Sequence, residues 1–286
     1  MAPNERAQKN HDELFPGHVS TLAVTDPELI EVFDNFAFDE VLSHGSLDAR
    51  TRLMVQLASM IASQALREYR VMIKPALTVG VTPVEIKEIV YQAVPYVGMA
   101  KVFDFLLATN EVLKETGVEF PLPGQSTTTP ENRAEKGLAI QKQIIGDSVV
   151  EKLYSSAPDD QTHIQRFLSA NCFGDHLTRS GIDVPTRELL TFSMLVSLGG
   201  CEPQVKSHVA ANFRVGNSRA KRLMSSHSCC LSSAIPARST HCAQSTKLRR
   251  TTRRNAGRRH HERHEKDSAG SWCHGQHRAP RRRSGT

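Results

Sequence analysis

The sequence predicts an all-α fold, with two tandem helical repeats followed by a disordered basic tail. Apolar residues recur every three or four positions through most of the first 215 residues, which is the spacing of one helix face. Almost no segment alternates apolar and polar residues with the period of two that a half-buried strand shows. Hydrophobic residues make up 39% of the 286-residue chain, which is enough to build a core.

The first repeat is expected at residues 26–115 and opens with helices. Asp26-Pro27 is typical of a helix start, because a capping side chain precedes a proline in the first turn. From Asp48 to Leu66 an apolar stripe runs at helical spacing, and a second helix continues to about Val79. Each of these segments predicts a helix with one buried face.

Two more helices complete the first repeat. Thr82 is predicted to cap the next helix, with Glu85 at the reciprocal position of a capping box. The segment from Pro95 to Gly98 breaks that helix, and a further one carries Val102 to Leu113.

A linker and a second repeat follow. Residues 116–130 (TGVEFPLPGQSTTTP) are rich in Pro, Gly and Thr, which predicts a linker. The second repeat is expected at residues 131–217, where helical patterning returns. It covers Glu131–Ile145, Gln161–Ser180, Pro185–Leu198 and the segment after Cys201.

The two repeats align along their sequences. LDARTRLMVQLASMIASQ, which begins at Leu47, matches IDVPTRELLTFSMLVSLG, which begins at Ile182. The alignment places Arg52 opposite Arg187, and it predicts that one helical unit is used twice.

The second repeat loses its helical pattern near residue 218. Residues 223–249 have no apolar stripe, although Glu88–Leu113 forms one at the matching place in the first repeat. Codons can be chosen for residues 223–249 that encode DVVTQLLPFIGYPRTLNALRAINEAA when they are read two nucleotides later. That peptide keeps the Gln, the Pro-aromatic-x-Gly break and the Asn-Glu pair of the first repeat, in register. We therefore interpret residues 218–286 as out of frame and disordered.

The tail also explains the basic charge of the chain. Residues 217–286 hold 17 of the 36 Lys and Arg residues but only 3 of the 30 Asp and Glu residues. Arginine pairs in this tail are typical of a nucleic-acid-binding arm, and its His and Cys residues resemble a metal site. A shifted frame accounts for the arginine pairs and for the His and Cys residues of the tail. The spacing of these Cys and His residues also matches no zinc motif. We therefore expect neither a nucleic-acid partner nor a metal.

The body of the chain is expected to be soluble and cytoplasmic. The N-terminal MAPNERAQKNHDELFPG lacks the apolar core of a signal peptide, and no apolar run is long enough for a membrane helix. No membrane partner is expected, and the two body cysteines do not indicate a disulfide framework.

Three polar residues of the second repeat stand where the first repeat has apolar ones. Glu188, Cys201 and His208 align with Leu53, Leu66 and Ile73. Cys201 follows Gly199-Gly200 at a predicted helix start, where the helix dipole is expected to lower the thiol pKa. His208 lies two turns further on the same face, and Glu188 comes from the preceding helix. These residues are the candidate nucleophile, base and carboxylate, although a buried Cys and a core His are the ordinary alternatives.

Three further residues are weaker candidates. Cys172 is either a resolving thiol or a buried structural cysteine. Gln204 lies between Cys201 and His208 along their helix. Asp175 lines the same pocket or lies on a solvated helix face.

These segments resemble the carboxymuconolactone decarboxylase family, which includes the alkylhydroperoxidase D-like proteins. The resemblance rests on PTRELLTFSMLVSLGGCEPQVKSHVAANFRVGN in the second repeat and ALTVGVTPVEIKEIVYQAVPYVGMAKVFDFLLATNEVL in the first. It implies an all-helical fold, assembly into a homo-oligomer, a small-molecule substrate and no cofactor. In the peroxidase motif that it implies, Cys201 and His208 match the first cysteine and the histidine, and Glu188 approximately matches the glutamate. Gln204 stands where that motif has its second cysteine.

Two activities and one non-catalytic role follow from this resemblance. The first is a thiol-dependent, peroxidase-like oxidoreductase with Cys201 as the attacking thiolate and a peroxide as substrate. The second is a cofactor-free decarboxylase of a lactone acid, with His208 and Glu188 as the reacting groups. The third is an oligomeric helical scaffold without catalysis. The sequence analysis ranks the peroxidase slightly first.

Overall fold

The computed structural model describes residues 3–45 and 47–228, apart from the side chains of residues 224 and 226–228. Every regular element in these ranges is a helix, so the predicted all-α fold is confirmed. Residues 229–286, which make up most of the expected tail, lie outside the described residues. Within the described ranges, no helix is long and apolar enough to cross a bilayer.

A group of short helices opens the chain and extends into the first predicted repeat. Its first helix, α1, was not predicted, and it is capped by Asn4, whose side chain accepts from the backbone N–H of Ala7. The group consists of α1 (Glu5–Leu14), α2 (Leu22–Thr25), α3 (Pro27–Asn35), the π-helix π1 (Phe36–Glu40) and α4 (Val41–Ser43).

Four longer helices form the central core. They are α5 (Ala49–Ala62), α6 (Leu66–Thr78), α7 (Pro83–Val97) and α8 (Met99–Glu115). The predicted capping box of α7 is present, with Thr82 and Glu85 each accepting from the other's backbone N–H. Gly98 separates α7 from α8 at a positive φ of 92°, which explains why the chain turns there. Residues 116–130 contain no regular helix.

The second half contains two helical elements that the sequence pattern did not define. α10 follows α9 directly, and the segment after Phe167 is wound as a π-helix rather than as an α-helix. The elements are α9 (Arg133–Ile145), α10 (Asp147–Ser155), a 3₁₀ turn (Asp159–Gln161), α11 (Thr162–Phe167), π2 (Leu168–Leu177), α12 (Val184–Leu198) and α13 (Glu202–Arg214).

Two pairs of helices, one member from each half, have similar starts or lengths. α5 and α12 each begin after an aspartate, Asp48 or Asp183, whose carboxylate accepts from the backbone N–H three residues later. α6 and α13 are both 13 residues long. Ser59 and Ser197 meet between α5 and α12, with their hydroxyl oxygens 2.6 Å apart.

One expectation about the tail needs correction. The tail was expected to be disordered from residue 218, but Arg219–Ser228 forms a further helix, α14. Ser218 caps it by accepting from the backbone N–H of Lys221, and Arg222 is 1% exposed, with its guanidinium over the ring of Phe213. The capping serine and the packed arginine both lie within the residues that were predicted to be out of frame and disordered.

Two glycines allow α9 and π2 to touch through their backbones. A Cβ atom on Gly137 would lie against the carbonyl oxygen of Ser169 and 2.7 Å from the nitrogen of Gly174. A Cβ atom on Gly174 would lie against the carbonyl of Arg133. Side chains at either position would push the two helices apart, so this crossing depends on both glycines.

Candidate active site

Glu188 and His208 form a buried acid–base pair between α12 and α13. Nδ1 of His208 lies 2.5 Å from Oε1 of Glu188. The His208 side chain is 11% exposed and that of Glu188 is 1% exposed. Because a carboxylate only accepts, Nδ1 carries the hydrogen and Nε2 is the nitrogen left to exchange a proton. The structure thus brings together the residues that the sequence offered as base and carboxylate.

Asn212 holds the two helices of this pair together. Its side-chain amide donates to the backbone carbonyls of Glu188 at 3.1 Å and of His208 at 2.9 Å. Asn217 in turn donates to the side-chain oxygen of Asn212 at 2.8 Å. The positions of Glu188 and His208 are therefore fixed by a buried amide network as well as by helix packing.

Two atoms of the pair have no partner among the described residues. Oε2 of Glu188 is buried and accepts no hydrogen bond. Nε2 of His208 also has none, and it keeps access to solvent. Buried carboxylate oxygens are normally satisfied, so an unpartnered one beside a free imidazole nitrogen is typical of a functional site.

Tyr96, at the end of α7, is a site residue that the sequence analysis missed. Its ring meets that of His208 edge to face, with centroids 6.4 Å apart and an interplanar angle of 81°. Burial raises the pKa of Tyr96, and the nearby Cys172 and Glu188 raise it further. The phenol therefore stays neutral near pH 7 and can donate a hydrogen bond.

A polar stripe along α7 explains how Tyr96 reaches the site. Glu88, Gln92 and Tyr96 follow at four-residue spacing and so share one helix face, which packs on α12. Glu88 accepts from Arg187 at 2.8 Å, and Gln92 donates to the Arg187 carbonyl at 2.7 Å. This stripe was the available signal for Tyr96, since three polar residues on one face of a core helix require polar partners.

Cys172 lies on π2 beside Tyr96. Its thiol is 3.8 Å from the Tyr96 hydroxyl, and the residue is 7% exposed. Burial raises its pKa to about 11. Both Cys172 and Cys201 are free thiols, and no contact joins them. These properties favour the alternative of a buried structural cysteine over that of a resolving thiol.

Cys201 differs from the expectation of an activated thiol. It does precede α13 at the helix N-terminus, but its thiol donates to the Leu195 carbonyl at 3.2 Å instead of facing His208. Burial raises the pKa of Cys201, and the neighbouring Glu202 carboxylate adds to the rise. The expected lowering of the thiol pKa was wrong, because burial disfavours the thiolate and Glu202 places a like charge beside it.

The two remaining candidates, Gln204 and Asp175, make no hydrogen bond to Glu188 or His208. Gln204 is exposed and makes no side-chain hydrogen bond within the described ranges. Asp175 accepts from Arg133 on α9 through both carboxylate oxygens, and also from Asn171 at 3.0 Å. Its carboxylate therefore joins π2 to α9, and the pocket role of Asp175 stays a prediction.

Part of the first half of the chain matches a protein-family model. The model of the carboxymuconolactone decarboxylase family matches residues 27–111. The matched segment is similar to this family and spans less than half of the chain. The chain is also 29% identical over 86 residues to a 4-carboxymuconolactone decarboxylase from Acinetobacter baylyi. That match covers 30% of this chain and 63% of the relative, which is less than two thirds of its length.

A solved structure also resembles the chain. It comes from Burkholderia xenovorans, and its provisional name is gamma-carboxymuconolactone decarboxylase subunit. It shares 20% identity and a TM-score of 0.48, and the match covers 87% of this chain and all of that one. The family match ends at residue 111, so Glu188 and His208 lie outside the segment that it covers.

Proposed function

We propose that this chain is a cofactor-free acid–base enzyme of the carboxymuconolactone decarboxylase type that acts on a lactone acid. The observation that carries the proposal is the Glu188–His208 hydrogen bond, which leaves Nε2 of His208 unpaired. His208 is assigned to proton transfer, and Glu188 to the orientation of the imidazole ring. The name of the Acinetobacter baylyi relative supports the choice of substrate class.

The chemistry needs one proton donor and one hydrogen-bond donor. The bond between the substrate carbon and its carboxylate breaks, CO₂ leaves, and the electron pair passes into the conjugated lactone as a dienolate. Protonated His208 then delivers the Nε2 proton to carbon, and water returns a proton to the ring. The neutral hydroxyl of Tyr96 is assigned to the developing enolate oxygen, because the Tyr96 ring packs edge to face against the His208 ring.

The thiol-dependent peroxidase has less support. A peroxidatic cysteine requires a thiolate, and burial raises the pKa of Cys201. The Cys201 thiol hydrogen-bonds to a backbone carbonyl rather than to His208. We therefore rank the decarboxylase first, which reverses the order that the sequence alone favoured.

One assay distinguishes the two activities. We would measure CO₂ release from a carboxymuconolactone and, separately, thiol-dependent consumption of a peroxide, in the original chain and in H208Q and C201S. We expect H208Q to lower decarboxylation about 100-fold or more, the usual contribution of a general acid or base. C201S is expected to keep most of it. Peroxide turnover that C201S abolishes, with no CO₂ release from the original chain, would instead establish the peroxidase.

A further inference from the structure

A polar cleft, separate from the Glu188–His208 pair, lies between α7, α8 and the 116–130 linker. Its volume is about 680 Å³, within the range of small-molecule sites. Neither Glu188 nor His208 lines it. Its lining includes Lys87, Tyr91, Asn110, Phe120 and Arg179.

Lys87 places a buried positive charge in this cleft. The residue is only 8% exposed, and its ammonium donates to the side-chain oxygen of Asn110 at 2.7 Å. No carboxylate of the described residues pairs with it. An ammonium has three donors, so two remain after the bond to Asn110. A buried ammonium without a carboxylate is unusual, because buried charges are normally paired.

Two aromatic rings partly compensate this charge. The Lys87 nitrogen lies 5.2 Å from the centre of the Tyr91 ring and 5.7 Å from that of Phe120. The guanidinium of Arg179 lies 5.1 Å from the Tyr91 ring. Ring faces attract a cation but do not neutralise it, so Lys87 can still bind an anion.

The acidic residues of the cleft are already engaged. Glu88 accepts from Arg179 at 2.9 and 3.0 Å and from Arg187 at 2.8 Å. Glu111 pairs with Arg70 at 2.5 Å, on the side of α6. The positive charge of Lys87 therefore stays without a counter-charge in the cleft.

We propose that this cleft binds a small organic carboxylate with a planar apolar body. Its carboxylate accepts from the free donors of Lys87, and its body packs on Phe120 and the neighbouring Pro121–Pro123 segment. An inorganic anion leaves those apolar walls uncovered, so the organic carboxylate is the better fit. The site is additional to the Glu188–His208 pair and does not depend on its activity.

Calorimetric titration of the full chain with benzoate tests the proposal. We expect saturable binding of benzoate, at least tenfold weaker binding of the neutral isostere benzamide, and at least tenfold weaker benzoate binding by K87M. K101M is the matched control, because Lys101 is an exposed lysine on α8 that does not line the cleft. Its affinity for benzoate should equal that of the original chain.

A second variant guards against unfolding of K87M. F120A removes a partly exposed ring from the cleft wall and leaves the buried charge in place. It is expected to weaken benzoate binding severalfold. Absence of benzoate binding, equal affinity for benzoate and benzamide, or unchanged affinity in F120A and in folded K87M would each overturn the proposal.

Discussion

At the residue scale, the hydrogen bond to Glu188 determines which nitrogen of His208 is available. With Nδ1 donating to the carboxylate, only Nε2 can accept or deliver a proton. The sequence singled out these two residues because both replace apolar residues of the first half, and it placed Glu188 on the helix that precedes His208. It could not reveal the direction of the Cys201 thiol, which depends on a carbonyl six residues earlier in the chain.

E188Q tests the orientation of the imidazole. A glutamine can either donate to or accept from Nδ1, so the ring tautomer is no longer fixed. We expect kcat for lactone-acid decarboxylation to fall about tenfold to 100-fold, within the range of general acid–base effects. The matched control is Q204A, which removes an exposed side chain without a hydrogen bond and should leave kcat unchanged. Full activity in E188Q would contradict the role of Glu188.

The two body cysteines should react with iodoacetamide at different rates. Burial raises the pKa of Cys172 to about 11, so its thiolate fraction at pH 8 is very small and grows only as the pH rises towards 11. Cys201 is more exposed, and we expect it to be alkylated first. Peptide mass spectrometry over a pH series measures both rates. Faster alkylation of Cys172 than of Cys201 in the folded chain would contradict this burial pattern.

At the element scale, α7 is held to α12 by a buried ion pair. Arg187 is 1% exposed, and its guanidinium donates to Glu88, Gln92 and three backbone carbonyls. The same helix face ends in Tyr96, so this contact also positions a residue of the candidate site. The sequence predicted α7 and α12 as helices, but periodicity alone does not show which polar side chains meet between helices.

R187L should destabilise the chain strongly. The change leaves Gln92 and three backbone carbonyls without their donor, at about 1–3 kcal/mol of unfolding free energy for each buried unsatisfied group, while Glu88 keeps its pair with Arg179. R179L is the matched control, since Arg179 pairs with the same Glu88 but its side chain is 18% exposed. We expect R179L to cost less. Urea denaturation measures the unfolding free energy of both variants. Equal losses of unfolding free energy in R187L and R179L would show that Arg187 has no special role.

Arg52 provides an element-scale test of the predicted frame change. Arg52 matches Arg187 in the alignment, and burial lowers its pKa, yet no side-chain hydrogen bond to it is present among the described residues. The two side chains of α7 that bind Arg187 are its sixth and tenth residues, Glu88 and Gln92. The corresponding sixth and tenth residues of α14 are Met224 and Ser228. The shifted frame puts Asp at the first of these positions and Gln at the second.

The double variant M224E/S228Q should therefore provide Arg52 with the partners that Arg187 has. We expect Tm to rise by about 2–4 °C, which corresponds to about 1 kcal/mol in a domain of this size. The gain should disappear in an R52L background, because the new side chains then have no arginine to bind. An equal gain with and without Arg52 would contradict the proposed pairing.

At the scale of the whole molecule, the all-α class and most helix positions followed from apolar periodicity and caps. Apolar periodicity did not predict α1 and α10, because short polar helices have no clear apolar stripe. It also did not predict that π2 is a π-helix, in which each hydrogen bond joins residues five positions apart. The start of α14 was missed because its cap, Ser218, was assigned to the tail. The homo-oligomer and the cytoplasmic location stay predictions.

The frame change is a prediction about the whole chain that one experiment resolves. Sequencing the DNA for residues 216–250 should show that the frame two nucleotides later encodes an amphipathic helix like Glu88–Leu113. Stop codons in that frame would instead make the basic tail genuine, and nucleic-acid binding would then need to be tested.

A chain that lacks this helix should aggregate on heating. Large apolar side chains of the second half are already exposed, among them Phe167 at 66% and Phe213 at 40%. We expect light scattering during thermal unfolding to begin at a lower temperature than in a version with the restored frame. Identical onset temperatures would show that the missing helix does not cover an apolar surface.

The contact between Gly137 and Gly174 has a consequence for how relatives of this chain would be interpreted. Neither position tolerates a side chain, and a change at one cannot be compensated at the other, because each Cβ atom would meet backbone rather than a movable group. Relatives that keep this crossing should therefore be invariant at both positions. A search for the active site by evolutionary conservation would then select α9 and π2, although these glycines take no part in the chemistry.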